Sequence, residues 1–305
     1  MFEARGAEAG AGEIQNIQFT NISSLVVKRY ALKDIKVMGR FYLGEVTCKS
    51  LVAMGFDLSY VGEFSVFASK FERISMFGIK IGQCREFNIL GMTHFKSLAA
   101  HAIKVRCEKF SIAYNWFGHL HDSSFDVEFG LCDIQGNTFY SLAGKPFLSL
   151  KPINTDSKAM RGFVFRENKF FSEPVLPFAS LAMPHYHKLD NSTSYVDVED
   201  NQFACNCLKI GWLLAFARFD HNRQSLALEG EGGEASLSFI REMVEKAGQC
   251  LQCDSSDCPE SHLSISSFAE ESLLLRPPDT VECEGSGVVV RKGSIRSTSR
   301  SCLSI

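Results

Sequence analysis

The chain repeats itself about every 23 residues, and this repeat limits its possible folds more than any other feature. Five rows align with one another, and their first residues, Phe41, Phe64, Phe87, Phe110 and Cys132, lie 23, 23, 23 and 22 positions apart. A shorter row begins near residue 17, and two less regular rows contain FVFRENKFF (163–171) and VDVEDNQFACNC (196–207). Self-similarity at such a period is typical of stacked structural repeats. The sequence therefore predicts a solenoid.

Each row contains two short segments in which apolar residues alternate with others. Phe110-x-Ile112 is an example of the first segment, and Phe125-x-Val127 of the second. A period of two over so few residues predicts strands with one buried face. Phenylalanine accounts for 26 of the 305 residues, which indicates core positions filled repeatedly by the same ring. We expect one column of Phe64, Phe87, Phe110 and Cys132, and a second column of Phe71, Phe95, Phe117 and Phe139.

An asparagine recurs in the turn between the two segments, two positions before an inward phenylalanine. The four asparagines are Asn115, Asn137, Asn168 and Asn201. Asparagine tolerates the left-handed backbone region, and its amide can satisfy main-chain groups that a bend leaves unpaired. In a stack, the amide of one coil can also reach the next coil. The repeated position therefore predicts an asparagine ladder.

The rows resemble two known families. GIKIGQCREFNILGMTHF (78–95) is similar to the right-handed parallel β-helix coils of pectin-lyase-like proteins. Cys107-x-x-Phe110-x-Ile112-x-x-Asn115-x-Phe117 resembles the leucine-rich repeat pattern LxxLxLxxNxL. The row from residue 87 departs from both, because Met92 stands at the asparagine position and one extra residue precedes the next phenylalanine.

The second strand of each row favours the β-helix, because a leucine-rich repeat has a helix or an irregular turn there. We therefore predict an all-β protein, a right-handed parallel β-helix of about eight coils. A leucine-rich repeat solenoid is the alternative.

A cysteine-rich cap is predicted after the last coil. Residues 201–216, NQFACNCLKIGWLLAF, resemble the start of the cap that closes extracellular leucine-rich repeats, with Asn201, Phe203, Cys205, Cys207 and Trp212 at the matching positions. Such a cap covers an apolar end and unpaired strand edges. Residues 235–248, ASLSFIREMVEKAG, have helical spacing and are expected to pack in it. The predicted organisation is a disordered segment 1–13, solenoid repeats 14–203, a cap 204–284 and a disordered basic tail 285–305.

The cap resemblance implies disulfide bonds rather than a zinc site. The candidates are Cys205, Cys207, Cys250, Cys253, Cys258 and Cys283. Cys205 and Cys207 are expected to reach forward to two of the later cysteines, and the spacing leaves the pairing open. Cys84 and Cys107 occupy equivalent positions of neighbouring rows, so stacked buried thiols are expected there.

Cysteine usage also bears on the compartment. The cluster favours an oxidising environment, and Asn21 and Asn191 begin glycosylation sequons. The first residues, MFEARGAEAGAG, do not form a signal peptide. We expect an extracellular or cell-surface protein whose chain is truncated or mis-started, with a cytoplasmic location as the alternative.

Composition excludes some functions. A formal net charge of −3 argues against a dominant nucleic-acid surface. No apolar run approaches the roughly 20 residues that span a bilayer. The pairs His119/His121 and His185/His187 lack an evident third metal ligand, so solvent-facing histidines are expected, and neither a metal nor another cofactor is predicted. No GxSxG, HExxH or Gly-rich phosphate loop occurs.

The expected function is non-enzymatic binding of a protein or a glycan. Segments 149–162 and 183–195 break the repeat spacing, and the second supplies a candidate binding loop with His185, Tyr186 and His187. The alternative is a carbohydrate-active β-helix enzyme, a polysaccharide lyase or hydrolase, with acids drawn from Asp126, Glu128, Asp197 and Glu199. Lyase chemistry also needs a basic residue beside the acids, and none recurs in those rows, so binding is favoured.

Overall fold

A computed structural model of the protein describes residues 2–4, 13–153, 161–171, 181, 183–186, 194–204, 239, 249–251, 282–284 and 287–289. Within them the chain is nearly all β, and its parallel sheets form a β-solenoid of about six turns. The predicted fold class is confirmed. The number of turns is about six rather than about eight, and the irregular rows after residue 153 contribute only short strands.

The strands of the described residues are β1 (Phe2–Ala4), β2 (Glu13–Ile14), β3 (Ile17–Thr20), β4 (Leu25–Val27), β5 (Leu32–Gly44), β6 (Thr47–Leu51), β7 (Phe56–Phe67), β8 (Lys70–Phe71), β9 (Ile79–Leu90), β10 (His94–Leu98), β11 (Ile103–Ala113), β12 (Trp116–Leu120), β13 (Phe125–Gln135), β14 (Thr138–Leu142), β15 (Leu150–Pro152), β16 (Arg161–Arg166), β17 (Lys169–Phe170), β18 (Ser194–Asp197), β19 (Gln202–Ala204), β20 (Gln249–Leu251), β21 (Glu282–Glu284) and β22 (Gly287–Val289).

Two parallel sheets build the solenoid. The long-strand sheet has the order β18-β16-β13-β11-β9-β7-β5-β2, with β15 beside β13 and β3 beside β5. The short-strand sheet has the order β1-β4-β6-β8-β10-β12-β14-β17-β19-β20. In the regular part of the solenoid, each turn therefore adds one strand to each sheet. The second side of a turn is a strand and not a helix, which agrees with the β-helix rather than the leucine-rich repeat.

The long strands join two segments that the sequence shows as separate alternations. In β9, Ile79 and Ile81 face the core at one end, and Phe87 and Ile89 face it at the other. The alternation is interrupted between these two ends, because the consecutive residues 85 and 86 both lie outside the buried core. An interruption of this kind bends the strand and turns the sheet around a corner. Each turn thus has three sides: the two halves of the long strand and the short strand.

Two columns of stacked phenylalanine rings fill the core, as predicted. The rings of Phe41, Phe64, Phe87 and Phe110 follow one another with centroid distances of 5.1, 4.9 and 5.3 Å. The second column contains Phe71, Phe95, Phe117, Phe139 and Phe170, with distances of 5.1, 5.0, 5.2 and 5.0 Å. Cys132 lies in register with Phe110 and is fully buried.

Much of the predicted cap lies outside the described residues, including Cys205, Cys207, Cys253 and Cys258. Cys250 and Cys283 lie in β20 and β21, where only the backbone is described. β20 pairs in parallel with β19, so the short-strand sheet continues into the segment predicted as the cap. Within the predicted helix 235–248, Phe239 is described; it is helical and fully buried against Phe163 and Phe165.

The predicted disordered ends contain some strands. β1 pairs in parallel with β4 and falls within segment 1–13. β22 pairs antiparallel with β21 and falls within segment 285–305. The composition of the two ends does not predict this strand pairing.

Candidate binding surface

The asparagine corner joins the long strand of one turn to the short strand that follows it. The residue before each asparagine has a left-handed backbone: Tyr114, Gly136, Glu167 and Asp200 have φ between 53° and 64°. The asparagines themselves do not adopt this conformation. The turn lies where the asparagines predict it, but the residue that takes the left-handed φ is the one before each asparagine.

The asparagine amides form the predicted ladder. The Asn137 Oδ1 accepts the backbone N–H of Asn115 at 3.0 Å, and its Nδ2 donates to the Ile112 carbonyl at 2.8 Å. The Asn168 Oδ1 accepts the backbone N–H of Asn137 at 3.1 Å, and the Asn201 Oδ1 does the same for Asn168 at 3.1 Å. All four asparagines are at most 1 % exposed. Buried main-chain groups that the corner would leave unpaired are thus satisfied by side chains.

The ladder extends further towards the amino terminus than the asparagines do. Asn115 accepts the backbone N–H of Thr93 at 3.2 Å, Thr93 faces that of Ser69 at 3.4 Å, and Ser69 accepts that of Val46 at 3.1 Å. Gly91 and Met92 both have positive φ, so the extra residue in this row brings Thr93, not Met92, into the ladder. The hydroxyls can replace the amide because one acceptor is enough for the neighbouring N–H.

Exposed apolar side chains cover the outside of this corner over three successive turns. We call Phe67, Leu90, Met92, Tyr114 and Trp116 the corner ridge; they are 40, 43, 62, 55 and 38 % exposed. Phe67 and Leu90 are direct neighbours in the parallel ladder. The Tyr114 ring lies over Gly136, where a Cβ atom would come within 2.5 Å of it. Because Gly136 has no side chain, the Tyr114 ring of the preceding turn can pack directly over it.

Single exposed apolar residues are common on protein surfaces, but contiguous apolar patches often mark interaction sites. The ridge is not predicted by the sequence pattern. The aligned rows do place Phe67 opposite Leu90, but the alternation rule alone does not say which residues of the corner stay exposed.

The acids proposed for catalysis lie in ion pairs. The Asp126 carboxylate is 3.1 Å from the Lys104 ammonium and 3.4 Å from the His101 Nδ1. Glu128 is 3.7 Å from the guanidinium of Arg106. The expectation that no basic residue lies beside these acids was therefore wrong, because the parallel register sets Lys104 and Arg106 of one turn against Asp126 and Glu128 of the next.

The second pair of acids surrounds one arginine. The Arg166 guanidinium lies 3.3 Å from Asp197 and 3.9 Å from Glu199. The Tyr195 hydroxyl donates to Asp197 at 3.1 Å. Asp133 lies two ladder steps from Asp197 in the same row. Burial raises the pKa of Asp133, and one of its carboxylate oxygens is buried without a hydrogen-bond partner.

The predicted binding loop is only partly described. Tyr186 is 3 % exposed, and its ring packs against Phe163 and Phe239. Tyr186 therefore packs in the core against two aromatic rings and is not available as a surface contact. His185 is partly buried, and His187 and Asn191 lie outside the described residues. Asn21 is exposed and has a left-handed φ of 54°.

The cysteines of the solenoid are free thiols. Cys48, Cys84, Cys107 and Cys132 are all buried and unpaired by disulfides, and Cys84 lies opposite Cys107 in the ladder, as expected. Burial raises the pKa of Cys48 and of Cys84 to about 12 and that of Cys107 and Cys132 well above the usual range. These thiols are therefore protonated and act as small apolar side chains.

In the part of the chain that the structure describes, no three His, Cys, Asp or Glu side chains are grouped so that they could hold a metal ion. His119 and His121 are exposed on β12 and just after it. No helix among the described residues has the length and apolar character needed to cross a membrane.

No protein-family model, no curated protein and no solved structure matches the chain. The resemblances to β-helix coils and to leucine-rich repeat caps are supported by short sequence motifs alone. The parallel solenoid is shown by the register of its strands.

Proposed function

We propose that this protein is a non-enzymatic binding module that holds an extended protein or glycan partner outside the cell. The corner ridge is the observation that carries the proposal. Its five apolar side chains, two of them Tyr114 and Trp116, lie on three successive turns and are 38 to 62 % exposed. Tyrosine and tryptophan are enriched among the residues that dominate binding energies.

The ladder beneath the ridge supports this role. The three ridge turns are tied together by the strand register and by the buried side chains of Ser69, Thr93 and Asn115. Ridge residues therefore keep fixed spacings along the solenoid before a partner arrives. A surface that is ordered in advance loses less conformational entropy on binding.

The test begins with a screen of the full-length secreted protein against cell-surface proteins and a panel of polysaccharides. The partner is then titrated with Tyr114→Ser, Trp116→Ser and the control Tyr30→Ser. Tyr30 is a matched control because it is an exposed tyrosine with a left-handed φ of 57° at the other corner. Removing either ridge ring is expected to weaken binding by at least tenfold, or about 1.4 kcal/mol. Equal affinities for all three variants would contradict the proposal.

The extracellular location is part of the same proposal. It is supported by the sequon at Asn21, whose side chain stands on an exposed turn. Expression in a secreting eukaryotic host should give a protein whose mass falls on deglycosylation, and Asn21→Gln should remove part of that difference. Unmodified Asn21 in secreted protein would count against this assignment.

A carbohydrate-active enzyme is the second candidate, and Asp133 favours it. A carboxyl group whose pKa is raised by burial can serve as a general acid. Asp197 follows two ladder steps later, at about 10 Å between Cα atoms, so a second carboxylate lies in the same row, as the two-carboxylate mechanism of glycosidases requires. Depolymerisation of any glycan, abolished by Asp133→Asn, would replace the binding proposal with this one.

A further inference from the structure

A row of polar side chains on the outside of the long-strand sheet is almost completely covered. Ser65, Asn88 and Ser111 are in register on β7, β9 and β11. Their neighbours on both sides along each strand face the core, so these three side chains point outwards. Yet they are only 5, 7 and 4 % exposed. Outward side chains become this inaccessible when taller neighbours flank them, so the row is the floor of a groove.

The two sides of this groove differ chemically. Phe67 and Leu90, which belong to the corner ridge, stand two residues beyond Ser65 and Asn88. Glu63 and Glu86 stand two residues before them and are in register with each other. Arg40 and Lys109 are in register with Glu63 and Glu86. The groove thus has an apolar wall, a floor of hydroxyl and amide groups, and a wall of mixed charge.

Asn88 is the floor residue whose polar groups are unused. Ser65 donates to the Glu63 carboxylate, and the Ser111 hydroxyl lies 3.5 Å from the Asp133 carboxylate. Among the described residues, by contrast, no group forms a hydrogen bond with the Asn88 side chain. The amide can donate two hydrogen bonds and accept two. Among the described residues, the fully buried side-chain atoms without a partner belong to His101, Asp133 and Arg166 and not to Asn88. The Asn88 amide is therefore open to water or to a ligand.

We propose that this groove binds a neutral, linear glycan that lies along the solenoid axis and is held by the Asn88 amide. The inference rests on the proposed binding function and names its ligand class. A sugar unit offers hydroxyl groups along its edges and an apolar C–H face. These match the polar floor and the wall formed by Phe67 and Leu90, as in other sites where a few polar groups orient a ligand on an apolar lining.

The charges of the groove select against other ligands. Arg40, the cation next to Glu63, is already paired with it at 3.1 Å. Glu86 lies 3.9 Å from Arg85, and Lys109 and Arg166 lie near Asp133. The groove therefore has no unpaired excess of positive charge that would attract a polyanionic glycan. A peptide strand gains its affinity from an unpaired sheet edge, and β7, β9 and β11 are interior strands with neighbours on both sides.

The experiment is calorimetric titration of the full-length protein with cellohexaose, chitohexaose and hexagalacturonate. One of the two neutral hexasaccharides is expected to bind, and hexagalacturonate is not. Asn88→Ala is expected to weaken binding about three- to tenfold, which corresponds to loss of the hydrogen bonds of one amide. Gln83→Ala is the control, because Gln83 is an exposed amide on the same strand but outside the groove. Circular dichroism shows that both variants are folded.

Three results would overturn the inference without touching the proposed function. One is binding of a neutral hexasaccharide that Asn88→Ala leaves unchanged and Trp116→Ala abolishes, which would place the sugar on the ridge alone. Another is failure of all neutral glycans to bind while a protein partner binds at the ridge. The third is binding of hexagalacturonate alone. The proposed function fails separately, if no partner responds to changes in the ridge.

Discussion

At the scale of single residues, the asparagines of the corner replace backbone partners that the bend removes. Each amide accepts an N–H from the preceding turn and donates to a carbonyl within the solenoid. Because these groups are buried, losing one side chain leaves several main-chain groups unsatisfied at once. The repeated asparagine is therefore explained by hydrogen-bond satisfaction, while the left-handed φ is carried by the residue before it.

Asn137→Ala tests this explanation. The change leaves the Asn115 N–H and the Ile112 carbonyl without their partners in a buried site, and we expect a loss of about 2 to 4 kcal/mol in the free energy of unfolding. Asn16→Ala is the control, because its exposed Oδ1 accepts the Arg40 N–H at 2.8 Å and water can take its place. Its cost is expected to stay below about 1 kcal/mol. Urea unfolding measures both, and similar losses would contradict the explanation.

The buried thiols give a second prediction at this scale. The folded pKa of Cys48 and Cys84 is about 12, against an ordinary value of 9.0. Their contribution to stability is therefore complete below pH 9.0 and is lost as the pH rises towards about 12, because only the unfolded chain ionises in between. We expect stability to fall over this alkaline range, and Cys48→Ala with Cys84→Ala to reduce the slope.

Alkylation provides the complementary measurement. N-ethylmaleimide followed by peptide mapping should leave Cys48, Cys84, Cys107 and Cys132 unmodified in the folded protein and modify all four in denaturant. Rapid alkylation of any of them in the folded state would show that its burial is not as described.

At the scale of elements, each turn is stabilised mainly by rings stacked on the rings of its neighbours. Phe110 stacks on Phe87 at 5.3 Å and meets Phe125 edge-on at 6.3 Å. Phe110→Ala is expected to cost about 3 to 5 kcal/mol, and Phe110→Leu less than half as much, because leucine fills most of the space. Hydrogen exchange should then be faster in β9, β11 and β13 together. Faster exchange in β11 alone would contradict the stacked arrangement.

The strands that the sequence predicted are those with a period of two. The short strands β10, β12 and β14 were not identified as strands, because their inward residues are three positions apart, as in Phe117 and Leu120. The ladder skips a residue there, and a Cβ atom on Gly118 would lie 2.4 Å from the Lys96 carbonyl oxygen. This bend depends on the close approach of two backbones and not on the spacing of apolar side chains. The sequence therefore has no hydrophobic period that would predict it.

The ion pairs had a visible signal in the aligned rows. Lys104 stands opposite Asp126, since Ile103 and Val105 align with Phe125 and Val127. The groove could not be predicted in the same way. The groove depends on how far the side chains on either side of Asn88 extend from the sheet. Alternation predicts which residues point inwards and which point outwards, but not how far their side chains extend.

At the scale of the whole molecule, the solenoid needs closure at its ends. The cap resemblance predicts that Cys205 and Cys207 are bonded to cysteines after residue 245 in the mature protein. Mass spectrometry of peptides prepared without reduction decides this. Free thiols at both positions, or zinc retained through purification, would favour a cytoplasmic protein with a metal-bound carboxy-terminal segment.

In the proposed function, successive turns of the solenoid act together as one binding surface. The most direct measurement is the affinity of one identified partner for three single variants of the full-length protein, Phe67→Ser, Leu90→Ser and Tyr114→Ser, with Tyr30→Ser as the control. These residues lie on three neighbouring turns. Phe67→Ser and Leu90→Ser are expected to weaken binding at least about fivefold and Tyr114→Ser at least about tenfold, because each removes a partly exposed apolar contact. Loss of affinity in only one of the three variants, or in none, would contradict it.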